Sequence, residues 1–319
     1  MIQTFPILDM HCDTASLLLE IKGGSLYHND GMVSIQKLRQ GGVFCQFFAM
    51  FIHMTNFTSP DAAYEYLLKM HGNLIQEFEI NSEHIALVRS ASDVSLLHKT
   101  GKIAAFLGVE EGGVIDNNLK RLDCFYDMGV RLITLTWNHE NCIGFPNSFD
   151  SNIMSRGLKP FGFEVIDKMQ DMGMIIDVSH LSDGGFWDII KHCKKPFAAS
   201  HSNARELCNH PRNLTDDMLK ALANAGGVTG LNLFHMFLGS DNTGSVDQMT
   251  AHIKHIHNTA GIDVLALGCD FDGFDGPCGI LNCAEFYILI EALLKAGFRE
   301  SEIEKICWKN AMRVIEDVL

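Results

Sequence analysis

A chain of 319 residues, 47% of them hydrophobic, can bury one sizeable core, and a single domain over residues 1–319 accounts for it without a linker. A formal net charge of −14 and a pI near 5.4 argue against the basic surface that nucleic acid or an anionic membrane demands, and leave small-molecule or peptide substrates as the better fit.

Strand-like apolar runs alternate with helical ones along the whole chain, the rhythm of repeated βα units. The first strand, 6–12, lies in PILDMHCD and ends in His11 and Asp13, whose spacing of two points both side chains to one face. A strand at 42–51 and a helical stretch at 60–80 follow. The strand 102–110, KIAAFLGVEE, runs into Glu110 and Glu111, and another spans 130–137. After a helix at 158–172, the strand 173–180 (MIIDVSH) ends in His180 and the strand 196–201 (PFAASH) in His201. A helix at 214–224, a strand at 226–233 and a helix at 245–261 lead to the last strand, 264–270, where VLALGCDFDG ends in Asp270 and Asp272. Helices at 283–296 and 301–318 close the chain. Gly41-Gly42, Gly129, Gly173, Gly226-Gly227 and Gly261 precede strands, where a helix exit needs a left-handed cap. Eight strands alternating with helices predict an α/β fold, a (β/α)8 TIM barrel.

Such a barrel gathers the C-terminal ends of its strands at one mouth, where residues distant in sequence become neighbours. A buried parallel strand is a near-continuous apolar run, so an imidazole or carboxylate closing run after run is a pattern with a purpose. Taken alone, His180 reads more readily as a core histidine bonded to backbone than as a ligand, and one of the Asp270/Asp272 pair can cap a turn with Gly273. Taken together, His11, Asp13, Glu110, His180, His201 and Asp270 form a donor set suited to borderline or hard divalent ions, large enough for two. Gly108, Gly112 and Gly113 surround Glu110 but lack the spacing of a phosphate-binding loop.

The tetrad HCDT at 11–14, GVEEGG at 108–113, DVSH at 177–180, SHSNAR at 200–205, PRN at 211–213 and GCDFDG at 268–273 together resemble the membrane (renal) dipeptidase family, peptidase family M19. These are binuclear zinc dipeptidases on an amidohydrolase-like barrel. The likeness runs from the first strand to the last. It implies two Zn2+ per chain, one on His11 and Asp13, the other on His180 and His201, with Glu110 bridging. It implies that Arg212 receives the terminal carboxylate of a dipeptide, that Asp270 shuttles the proton, and that a zinc-bridging hydroxide attacks the peptide bond. Dipeptides with a D-residue at the carboxyl end, and a homodimer, are further expectations of the same kind.

Two departures from the family pattern stand out. Trp137 occupies the place where a histidine often follows the fourth of the eight strands, and His139 comes two residues later; His139 is expected to stabilise the oxyanion and Trp137 to line the substrate pocket. Glu111 stands where glycine is usual, which leaves Glu111 as an alternative to Glu110 for the bridge. The rival functions are another binuclear amidohydrolase, acting on a cyclic amide, lactone or phosphoester, and a non-catalytic sensor of metal or dipeptide. Ten cysteines without CxxC spacing, no leader, no lipid-anchor tail and no transmembrane run give the expectation of a cytoplasmic protein.

Overall fold

The computed structural model describes residues 5–20 and 25–319. Nine parallel strands form its sheet: β1 (Ile7–Asp9), β2 (Val43–Phe51), β3 (Ile85–Leu87), β4 (Ile103–Glu110), β5 (Val130–Thr134), β6 (Ile175–Asp177), β7 (Ala198–Ala199), β8 (Val228–Leu231) and β9 (Leu265–Leu267). The ring β1-β2-β4-β5-β6-β7-β8-β9 closes through β9 on β1, so eight strands make the expected (β/α)8 barrel. The ninth, β3, pairs only with the first residues of β4 (Ile85 opposite Ile103). It escapes a pattern search because three residues carry too little periodicity.

Alternate residues of the long strands explain the two layers of core. Leu8, Phe47, Phe106, Leu132, Ile175, Val228 and Ala266 fill the barrel interior, with Phe47 and Phe106 stacked at 4.7 Å between centroids. The opposite faces pack beneath the helices. Val314, Ile315 and Val318 of the last helix plug the barrel floor. That C-terminal segment departs from the continuous helix expected at 301–318. It runs as Glu300–Glu304, a wide π turn at Lys305–Lys309, and Asn310–Val318. The turn brings Asn310 to the floor, where its amide donates to the carbonyls of Ile262 and Leu265 at 2.8 Å each. The helices Pro60–Ile80, Pro160–Met172, Asp216–Asn224 and Val246–Ala260 match their sequence expectations to within two residues. Among the described residues no helix is long and apolar enough to cross a membrane.

Several strands are shorter than their apolar runs. β1 stops at Asp9, β6 at Asp177 and β9 at Leu267, because the next residues leave the ladder and turn into the mouth. His180, Asp270 and Asp272 take φ values of 66°, 64° and 65°, a left-handed backbone uncommon outside glycine that His and Asp adopt more readily than most residues.

Candidate metal centre

Glu110, the last residue of β4, is the centre of the cluster. Its Oε1 lies 3.0 Å from His180 Nε2 and 3.4 Å from His201 Nε2, and its Oε2 lies 3.3 Å from His11 Nε2. His11 Nε2 is also 3.3 Å from Asp13 Oδ2 and 3.7 Å from Asp270 Oδ1. Two sets of donor atoms, His11/Glu110/His201 and His11/Asp13/Asp270, each converge closely enough to hold an ion.

The second contacts of two histidines settle which nitrogen faces the cluster. Asp177 Oδ2 accepts from Thr134 Oγ1 and from Ser200 Oγ, both at 2.6 Å. With its only proton committed to the carboxylate, the Ser200 hydroxyl can only accept from His201 Nδ1, 2.7 Å away. His201 therefore carries its proton on Nδ1 and turns a lone pair at Nε2 inward. His180 Nδ1 donates to Asn138 Oδ1 at 2.9 Å, which leaves Nε2 of that ring a lone pair too. The two Nε2 atoms lie 3.1 Å apart beside Glu110 Oε1. Three acceptors facing one another in a buried site are stable only around a cation.

The titration directions say the same. Burial pushes His201 well below its ordinary value and His180 down to about 4, with the charge of His11 adding to the first and that of Arg212 to the second, so both rings stay neutral. Burial works against charge on His11 as well, but the carboxylates of Glu110 and Asp13 outweigh it and raise that ring well above the usual range. The pocket thus demands positive charge at His11 Nε2, which has no hydrogen-bond partner, as Asp13 Oδ1 has none. Imidazoles, carboxylates and these orphaned atoms are a donor chemistry that fits divalent metal, and the two converging sets have His11 in common.

Asp270 lies at the edge of the cluster. Its Oδ2 accepts from Asn232 Nδ2 at 2.8 Å, leaving Oδ1 toward His11. Burial, with the charge of Glu110 adding to it, raises its pKa above the ordinary aspartate value. Asp272 faces elsewhere: its carboxylate accepts from Thr14 Oγ1 at 2.7 Å and from the Met32 amide at 2.5 Å, tying loops together. Gly273 passes so close that a β-carbon there would stand 2.3 Å from Asp13 Oδ2. Glu111 (φ 103°) also turns away from the cluster, accepting from the amides of Gly113 at 2.7 Å and Trp137 at 3.1 Å and from Asn141 Nδ2 at 2.5 Å. Glu110, rather than Glu111, reaches the donor set.

Two cavities meet at the cluster. One, of about 360 Å³, is lined by Asp13, Leu17, Phe51, Glu110, Trp137 and Asp270. The other, of about 450 Å³, contains Arg212 and His210. His180, Asn138, Phe234 and Phe237 border both. Arg212 is buried; its Nη1 donates to Ser202 Oγ at 3.2 Å and its Nη2 to the His201 carbonyl at 3.1 Å, while Nε has no partner. Among the described residues no carboxylate forms an ion pair with it. Trp137 lines the first cavity. His139 does not join it: the ring is exposed, 5.5 Å from that of His53 and 5.7 Å from that of Trp137, and borders neither cavity. Spacing of two fails here because the chain leaves extended geometry after Thr134. Asp177, Ser200, Asn138 and Asn232 were not singled out in the sequence, although Asp177 and Ser200 belong to the DVSH and SHSNAR motifs.

A donor set of this kind at the C-terminal mouth of a parallel barrel defines a metal-dependent hydrolase of the amidohydrolase-like class. The chain belongs to the membrane dipeptidase family (peptidase family M19), whose pattern it matches over residues 1–319, and it is a metallodipeptidase. It is 31% identical to dipeptidase 3 of Rattus norvegicus over 330 aligned residues, covering all of this chain and 66% of the rat protein. The crystal structure of the dipeptidase AC, an M19 metallopeptidase, superposes with a TM-score of 0.92 at 25% identity over 99% of both chains. A metallopeptidase from Rhodobacter sphaeroides, solved with a phosphinate mimic of the dipeptide L-Ala-D-Ala, shares the fold at TM-score 0.89 and 24% identity, over 99% of this chain and all of that one.

Proposed function

We propose that the protein is a zinc-dependent dipeptidase holding two Zn2+, one on His11 and Asp13 and one on His180 and His201, with Glu110 shared. The observation that carries this reading is the pairing of an anionic, lone-pair-rich cluster with a buried guanidinium that lacks a counter-ion, on two sides of one partition. The ions would supply Lewis acidity to the scissile carbonyl and to the attacking water. Arg212 takes the terminal carboxylate in its planar fork, which limits the substrate to one residue beyond the scissile bond. Asp270 removes the proton of the attacking water and delivers it to the departing amine. His139, off the cleft walls, is given no part. Acceptance of a D-residue at the carboxyl end is included, supported by the ligand of the Rhodobacter neighbour.

The test is metal content together with turnover on L,L- and L,D-dipeptides and the corresponding tripeptides, before and after chelation. Two equivalents of zinc and dipeptide-only cleavage, lost on chelation and restored by zinc, are expected. Bound zinc without cleavage of any peptide would reassign the site to another amidohydrolase substrate.

The Ser200 relay gives a second expectation. Ser200→Ala leaves Asp177 its bonds from Thr134 and from the amides of Ser179 and Ser200, yet frees the His201 ring to rotate and change tautomer. One of the two ions should then bind about 10–100-fold more weakly in chelator competition. Wild-type affinity for both ions would show that the hydroxyl does not orient the ring.

A further inference from the structure

The first cavity ends in an aromatic corner that the hydrolytic reaction does not use. The Trp137 ring lies 4.8 Å from Phe51 and 4.6 Å from His53, and 6.2 Å from His180, a donor of the cluster. Phe51, Trp137 and neighbouring Leu17 are all only partly buried, so apolar surface stays open toward the cleft instead of being sealed into the core. The corner is rigid. The Trp137 amide is anchored on Glu111, itself fixed by Gly113 and Asn141, and two rings stand beside the indole. A side chain packing there would gain aromatic contact without the cost of ordering the wall.

Position in the cleft says which part of a substrate meets it. Leu17, Phe51 and Trp137 line only the first cavity and Arg212 only the second, with His180 on the partition. With the carboxylate on Arg212 and the scissile carbonyl at the cluster, the residue on the amino side of that bond must occupy the first cavity. We propose that Trp137, positioned by Glu111, and Phe51 form the subsite for the amino-terminal side chain and select dipeptides that begin with a bulky apolar residue, above all an aromatic one. This rests on the dipeptidase reading above.

The experiment compares Phe-Ala, Leu-Ala, Ala-Ala and Gly-Ala on zinc-loaded wild-type, Trp137→Ala and Phe51→Ala proteins, with Ala-Phe and Ala-Gly as controls for the other side. Wild-type kcat/KM for Phe-Ala should exceed that for Gly-Ala by about 10-fold or more. Trp137→Ala should bring that ratio to within about 3-fold of unity and Phe51→Ala should lower it partly, while the ratio of Ala-Phe to Ala-Gly stays put. Ratios within one protein are insensitive to the fraction of folded enzyme. Calorimetric binding of Phe-Ala and Gly-Ala to metal-free protein should show the same preference and its loss in Trp137→Ala. Wild-type ratios near unity, or ratios that neither substitution moves, overturn the subsite while leaving the dipeptidase reading intact. Failure to cleave any member of the panel removes both.

Discussion

Asp270→Asn is expected to lower kcat by about 10²–10⁴-fold while leaving bound metal and substrate KM within a few-fold of wild type. The substitution isolates proton transfer because it disturbs little else. Asn is among the residues most tolerant of the left-handed backbone that Asp270 adopts at φ 64°, and its carbonyl oxygen can still accept from Asn232 Nδ2. What it loses is the basic oxygen aimed at the cluster, 3.7 Å from His11 Nε2. Burial, reinforced by Glu110, raises the Asp270 pKa, which makes the carboxylate a better base than a surface aspartate. As the acting form is ionised, wild-type activity should fall on the acid side as Asp270 is protonated, and this acid limb should vanish from whatever activity the variant retains. Metal analysis and steady-state kinetics across pH decide the matter. A kcat within threefold of wild type would mean that the proton leaves by another route, as it would in a protein that only binds dipeptide.

The centre was largely legible because a buried parallel strand is apolar by necessity, so each imidazole or carboxylate at the end of one shows against its background. His11, Glu110, His180, His201 and Asp270 all betray themselves this way, and the structure brings them around Glu110. Their supporting partners do not. Asp177, Ser200, Asn138 and Asn232 act through hydrogen bonds set by the relative height of neighbouring strands, and nothing in a local run encodes that height. Glu110 and Glu111 are adjacent acids after one strand, and only the turn of the backbone at Glu111 sends its carboxylate to Trp137 and Gly113 instead of the cluster. His139 fails for a related reason. Alternation of faces holds only while the chain is extended, and β5 has ended by Thr134. In the fold, long runs such as β2 and β4 announced themselves, whereas β3 is held by its pairing with β4 and carries almost no signal of its own.

Arg212→Met should cut kcat/KM for dipeptides by about 10²–10³-fold and leave the protein as stable as before, or more so. A buried guanidinium with a free Nε and no paired carboxylate is costly to keep, and Met fills similar length without charge. The usual reason to retain such a group is an anion that arrives with the ligand. The surroundings are arranged for one: burial, then the charge of Arg212 itself, pushes His210 down to about 4, so the neighbouring ring stays neutral and adds no competing charge. Asn213 fixes the loop that presents the arginine, donating to the carbonyls of Phe237 at 3.0 Å and Cys208 at 2.9 Å. The diagnostic comparison is a dipeptide against its carboxyl-terminal amide. Wild type should strongly prefer the free acid, and Arg212→Met should lose most of that preference with little change toward the amide. Thermal melting alongside the kinetics separates loss of recognition from loss of fold. Equal losses on both substrates would place Arg212 in the scaffold, and unchanged turnover on both would favour a hydrolase that ignores the substrate's carboxylate.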